Sequence, residues 1–230
     1  MVGLTMTNAS PMVVPTFSRE RLLGTNPIAV AFPTAEEPPF VADLATTTAA
    51  YGKLEILQRT NNKAPFGWLQ DPDGSPSQDP HAISRGGGLL PLGSDREHGS
   101  HKGYCLGAMV DIFSAVLSGA NYGPWVPPYV TFLDNKEELV GEGIGHFFGA
   151  LRVDAFRPAD EFKAHMDKWI RRFRSAQPVA GQKSVLIPGD PERVSENRRR
   201  TDGIPLLDSV VKDLRIIAEK FCLDSCLLQK

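Results

Sequence analysis

His101-Lys102-Gly103-Tyr104-Cys105-Leu106-Gly107-Ala108-Met109-Val110-Asp111-Ile112-Phe113-Ser114-Ala115-Val116-Leu117-Ser118-Gly119 is the stretch on which the fold turns. Between Lys102 and Gly119 the one charged residue is Asp111. Tyr104, Leu106, Met109, Val110, Ile112, Phe113, Val116 and Leu117 cover more than one helical face. A helix that is apolar nearly all round is buried, and this one is shorter than the roughly 20 residues a bilayer takes. The spacing therefore predicts a central core helix with His101 and Lys102 at its N-terminal mouth. A helix mouth carries unpaired N–H groups and a partial positive charge, to which Lys102 adds a full one. It can seat a phosphate or a carboxylate, or it can be an ordinary solvated helix start.

The rest of the chain must supply a sheet beside this helix. With 230 residues, of which 41% are hydrophobic, there is material for one large domain or two small ones. A formal net charge of −2 gives no reason to expect a nucleic-acid partner. Three cysteines provide no disulfide framework, so a reducing, cytoplasmic compartment is expected. There is no secretory signal pattern and no apolar run of membrane length, hence no membrane partner is expected.

Along the chain, residues 2–6 and 12–15 read as short apolar segments, the first a strand. Ile28–Phe32 is a β-rich run ended by Pro33, and Phe40–Asp43 is another. Leu44–Ala50 holds three threonines able to cap a helix that carries Leu54, Ile56 and Leu57 and ends near Arg59. Residues 60–100 are dense in turn residues and read as long surface loop anchored by Trp68 and Leu89-Leu90. Gly145–Val153 reads as a buried strand. Phe162, Met166, Trp169, Ile170 and Phe173 mark an amphipathic helix whose basic side is read as solvated. After the Pro188–Glu192 turn comes a polar helix through Arg200. A last amphipathic helix over Leu206–Phe221 has Asp208 or Ser209 as its cap.

Gly141-Glu142-Gly143-Ile144-Gly145-His146 misses the dinucleotide fingerprint, because His146 stands where the last glycine belongs and a strand follows. No phosphate-loop motif is present. His98 and His101 lack partners at metal-site spacing, so no metal is expected. His146 reads as a packed, hydrogen-bonded histidine, Cys105 as a core thiol, and Cys222 and Cys226 as tail residues without a specific role. Phe40–Ala45 reads as a strand turning into a helix start, with the Asp43 carboxylate beside converging N–H groups. That carboxylate can accept ribose hydroxyls or cap the helix. Pro188-Gly189-Asp190-Pro191-Glu192 is either a nucleotide rim or a plain turn.

Several blocks occur together in a fixed order: Thr7-Asn8-Ala9-Ser10-Pro11, Leu23-Gly24-Thr25-Asn26-Pro27-Ile28-Ala29, Phe40-Val41-Ala42-Asp43-Leu44-Ala45-Thr46, Leu90-Pro91-Leu92-Gly93, His101-Lys102-Gly103-Tyr104, Leu117-Ser118-Gly119-Ala120, Gly145-His146-Phe147-Phe148 and Ile187-Pro188-Gly189-Asp190-Pro191-Glu192. Arg198-Arg199 and Gly203-Ile204-Pro205 close the series. Over essentially the whole chain the sequence resembles the malate/L-lactate dehydrogenase family, which includes L-sulfolactate dehydrogenase, ureidoglycolate dehydrogenase and 2,3-diketogulonate reductase.

The resemblance implies an α/β, mixed-sheet, non-Rossmann dinucleotide-binding domain of the L-sulfolactate dehydrogenase type. It would span 1–230, with a cofactor-binding core over about 20–190 and a helical segment over about 191–230. It implies an NAD- or NADP-dependent oxidoreductase that interconverts a 2-hydroxy acid and its 2-oxo acid, in a homodimer with sites near the subunit interface. It implies cofactor contacts from Asp43, Leu44 and Ala45, from His101 and Lys102, and from Gly189, Asp190 and Pro191. Thr7, Asn8 and Ala9 would lie near the nicotinamide. Met1 falls inside the family pattern. The proton-donating histidine and the carboxylate-holding arginine of the family are expected upstream of it, so the catalytic residues of this chain are unknown and impaired catalysis is expected. A non-catalytic cofactor-binding or dimerisation module that keeps the fold is the alternative.

Overall fold

The computed structural model describes residues 1–130, 133 and 138–223. The chain divides into two compact units, Met1–Gly189 and Asp190–Lys230. In the first, β1 (Val2–Thr7), β2 (Ile28–Phe32), β3 (Phe40–Leu44) and β7 (His146–Leu151) form an antiparallel sheet in the order β3-β2-β1-β7. Strand side chains alternate between faces, and the register puts Leu4, Val30 and Ala42 on one face together with Phe32, Phe40 and Phe147. The other face carries Thr5, Ala31, Asp43 and Phe148, all exposed.

The core lies elsewhere. It gathers Met12, Val13 and Leu23 with α1 (Tyr51–Arg59) and a small sheet of β4 (Leu69–Gln70), β5 (Pro76–Ser77) and β6 (Gly88–Leu89). Leu54, Leu69, Ile83 and Leu89 are at most 1% exposed. Residues 60–100 are therefore not surface loop: their turn residues connect very short strands whose single apolar side chains fill the core. Two-residue strands leave no periodicity to detect. α1 also starts later than expected. No side chain caps its N-terminus, because the threonine hydroxyls donate elsewhere: Thr46 to the Thr25 and Asn26 carbonyls, Thr47 to Ala49, and Thr48 to Trp68 and Leu90.

The central helix is α2 (Ser100–Asp111), continued by a wider turn over Ile112–Val116. It is not apolar-buried all round. Its inward face is narrow, with Ser100, Gly103, Gly107 and Asp111 and one aliphatic residue, Val110. A Cβ at Gly103 would strike the Leu92 carbonyl, and one at Gly107 would sit 3.1 Å from Thr46 Oγ1. The missing side chains let the helix press onto backbone. The large residues turn outward, with Met109, Ile112, Val116 and Leu117 between 48% and 69% exposed. Cys105 is exposed with them, not a core thiol.

β7 is likewise an open edge strand rather than a buried one. His146 is exposed beside the Phe148 ring at 6.2 Å, and is not packed inside. α3 (Ala159–Arg174) lies over the β2–β3 end of the sheet, with Trp169 edge-on to Phe40 at 5.6 Å. The Asp167 carboxylate accepts the N–H groups of Ala35, Glu36 and Glu37 at 2.9–3.2 Å. Arg171 and Arg174 pair with Glu37, and Arg171 with Glu36, so the basic side of α3 is a clamp on the hairpin as well as a solvated face.

The second unit holds α4 (Asp190–Asp202) and α5 (Asp208–Lys220). Leu207 precedes α5 and no side chain caps it, so neither Asp208 nor Ser209 takes that role. Cys226 lies outside the described residues. Among the described residues, no helix is long and apolar enough to cross a membrane.

Candidate functional site

The site is built along α2. At its mouth Gly99 takes φ 98°, a conformation that glycine adopts without strain. No side chain caps the first N–H groups. Ser100 is buried, its hydroxyl 2.9 Å from Thr16 Oγ1. Lys102 is exposed on the first turn, and the His101 ring Nδ1 lies 2.9 Å from Arg96 Nη1. Arg96, His101 and Lys102 thus gather at a helix mouth where Ser100 N–H donates to the Asp95 carbonyl and Lys102 N–H to the Gly99 carbonyl, both at 2.8 Å. Asp95 stands beside them, and its carboxylate accepts the His98 N–H at 2.8 Å and lies 2.7 Å from its ring. Those donors hold its pKa below the usual aspartate value. Arg96 escaped the sequence reading because it sits across a glycine turn from the helix; that turn was its only signal.

The end of β3 reaches the same helix. Leu92 N–H donates to the Thr46 carbonyl, and Thr46 packs on Gly107, so Asp43-Leu44-Ala45 runs in beside the first two turns of α2. Asp43 and Leu44 are exposed. Asp43 does not stand at a second helix start, since α1 begins at Tyr51. One helix mouth, not two, faces this region.

Thr7-Asn8-Ala9 meets the far end of α2. Asn8, 1% exposed, donates to the Asn121 carbonyl at 2.7 Å and to Asp111 Oδ1 at 3.3 Å, and its Oδ1 accepts Gly145 N–H at 2.9 Å. Ala9 N–H donates to Asn26 Oδ1, and Asn26 Nδ2 to the Gly107 carbonyl. Thr7 Oγ1 donates to the Gly145 carbonyl. Asp111 also accepts Gly123 N–H at 2.8 Å. Burial pushes its carboxyl pKa up, and these hydrogen bonds only partly offset that. Nine residues at about 1.5 Å rise put this network about 14 Å along the helix from Lys102.

In the first unit Val41 N–H donates to the Pro188 carbonyl, placing Gly189, with φ 95°, next to β3. Asp190 and Pro191 open α4 in the second unit, where Asp190 Oδ1 accepts from Arg193 at 2.7 Å. The histidines at 98 and 101 turn to Asp95 and Arg96, and among the described residues no three His, Cys, Asp or Glu converge as a metal site.

The model of the malate/L-lactate dehydrogenase family matches residues 1–215. The chain belongs to this family. A malate dehydrogenase of Pyrococcus horikoshii is 37% identical over 96% of the chain and 59% of its own length. A ureidoglycolate dehydrogenase (NAD(+)) of Escherichia coli strain K12 is 29% identical over 93% of the chain and 57% of its length. The crystal structure of a malate dehydrogenase from Entamoeba histolytica matches with a TM-score of 0.84 at 31% identity, over 98% of this chain and 62% of that one. The chain therefore spans less than two thirds of these relatives. Its fold is the mixed α/β arrangement of antiparallel sheets seen in such structures.

Proposed function

We propose that this chain binds a nicotinamide dinucleotide, NAD or NADP, along α2, and that it serves the interconversion of a 2-hydroxy acid of malate or L-lactate type with its 2-oxo acid. One observation carries the reading: an uncapped helix mouth ringed by Arg96, His101 and Lys102, with the end of β3 drawn against it. A diphosphate suits such a mouth, because N–H dipoles and a full positive charge act on the same anion. Lys102 holds the phosphates with the positive end of the helix dipole behind it, and His101 lies beside them. Asp43, exposed with Leu44 at the strand end beside half-buried Ala45, accepts ribose hydroxyls, and Gly189 adds a turn next to the same strand. Thr7, Asn8 and Ala9 form the floor toward the nicotinamide. The dinucleotide, when bound, supplies the hydride donor or acceptor.

Isothermal titration with NADH and with NADPH tests the binding. One saturable site for either is expected, and absence of saturable heat with both would end the reading. NADH oxidation with oxaloacetate or pyruvate tests the reaction itself. The same reading makes the outward apolar face of α2 a contact with a second copy. Sedimentation should then show a dimer that Leu117→Lys dissociates, and a monomer at micromolar concentration removes this part. Exposed thiols at Cys105 and Cys222 support a reducing, cytoplasmic setting.

A further inference from the structure

Two histidines stand three residues apart at the mouth of α2, and their rings face opposite chemistry. His98 Nδ1 lies 2.7 Å from Asp95 Oδ1. That carboxylate, held below the usual aspartate pKa, is an anion that only accepts. His98 Nδ1 therefore carries a hydrogen. His101 Nδ1 lies 2.9 Å from Arg96 Nη1. A guanidinium donates and has no acceptor, so His101 Nδ1 is bare and its ring proton sits on Nε2.

Protonation treats the two contacts differently. A doubly protonated His98 keeps its hydrogen on Nδ1, and its bond to Asp95 becomes an exposed ion pair. An imidazolium at 101 has no acceptor nitrogen left. The Arg96 contact then breaks, and two like charges stand where one hydrogen bond was. Further cations stand close. A Cβ added at Gly99 would lie 4.0 Å from Lys102 Nζ, so that ammonium folds back over the same mouth. Arg19 lines one cavity with Arg96. Of the acids, Asp95 is taken by His98, Glu97 lines the cavity of Arg19 and Arg96, and Asp43 stands at the end of β3. A charged His101 is therefore best compensated by an added anion.

We infer that the Arg96–His101 contact is a proton-operated latch on the phosphate seat, and that dinucleotide binding takes up one proton from solvent at His101. This rests on the dinucleotide reading, which puts the diphosphate at this mouth. With His101 neutral, Arg96 and the ring hold each other. With His101 protonated, both turn to the diphosphate through charge-assisted bonds. The diphosphate is a diester whose charge stays fixed from about pH 5 to 8, the interval in which an ordinary histidine titrates. The proton taken up therefore belongs to the protein, and affinity rises as pH falls.

The test titrates the full chain with NAD(+) by calorimetry, in phosphate-free buffers of different ionisation enthalpy. The slope of observed heat against that enthalpy counts the protons taken up. Net uptake of a fraction of one proton per dinucleotide is expected near neutral pH, with Kd about tenfold tighter at the acid end of the histidine interval than at the alkaline end. His101→Gln offers Arg96 an amide oxygen but cannot titrate, so uptake and pH dependence should both vanish. His98→Gln should keep both. Nitrogen-15 spectra of the ring, assigned through His101→Gln, should show a bare Nδ1 and a protonated Nε2 under alkaline conditions. Binding without uptake in the parent, or undiminished uptake in His101→Gln, overturns the latch and leaves the cofactor reading standing. A hydrogen on His101 Nδ1 under alkaline conditions also overturns it. Absence of saturable heat at every pH ends the cofactor reading and the latch together.

Discussion

The two ends of α2 are built in opposite ways. At the far end Asn8, Asn26, Asn121 and Asp111 are buried and bonded to one another and to backbone, with Asn121 alone accepting from Val140 and Gly141 and donating to Gly143. At the mouth, basic side chains stand in solvent and no side chain caps the helix. A closed polar network fixes a structure, because every donor lost leaves a buried partner unsatisfied. An open, positively charged mouth adds little to stability and is available to a ligand. Residues at the far end should therefore be read through folding, and residues at the mouth through binding.

The largest effect expected is on the closed end. Asn8→Ala strands the Gly145 N–H and the Asn121 carbonyl, at about 1–3 kcal/mol each for buried groups. Urea unfolding should show a loss of about 2–4 kcal/mol. Loss of NADH affinity at unchanged stability would reverse the assignment and make Asn8 a ligand contact first. Next comes the mouth. Lys102→Ala should weaken NAD(P)H binding by about 1–3 kcal/mol, the scale of a charge-assisted contact. Its unfolding midpoint should stay near that of the parent, since Lys102 is exposed. An unchanged dissociation constant by calorimetry would move the anion seat away from α2.

What the sequence made legible follows the same division. Ile28–Phe32 and Phe40–Leu44 could be read because five-residue β-branched and aromatic runs ended by proline or turn residues carry their own signal. Lys102 could be placed because a charge beside an apolar run marks a helix boundary. The facing of α2 could not be read. Hydrophobicity sent its large residues inward, whereas Gly103 and Gly107 decide the packed side by close backbone approach, which no residue scale records. The core around Leu69, Ile83 and Leu89 was hidden by strands too short for any period. Asp111 was visible as the one charge in the run, but its partners Asn8 and Gly123 come from distant segments, so its role emerged only with the tertiary fold.

Asp111 also supplies the finest test of the contrast, through pH. Its carboxyl is raised above the ordinary aspartate value by burial, with the Gly123 N–H and the Asn8 and Asn26 amides only partly offsetting it. A carboxyl raised in the fold binds its proton more tightly there than in the unfolded chain. Its contribution to stability is thus complete below the unfolded value of about 3.9 and fades as pH climbs through the folded one. An asparagine at 111 has no such proton. The stability of Asp111→Asn relative to the parent should therefore improve as pH rises across that interval and level off above it, as measured by denaturant titrations at stepped pH. Asp167 gives the opposite control. Burial disfavours its charge, but three N–H donors from residues 35–37 win and hold its pKa down, so its contribution is kept at neutral pH and lost on acidification. If Asp111 behaved like Asp167, with its benefit lost toward low pH, the far end of α2 would be stabilising a carboxylate. It would then be as fit to face a cationic ring as the mouth is to face a phosphate.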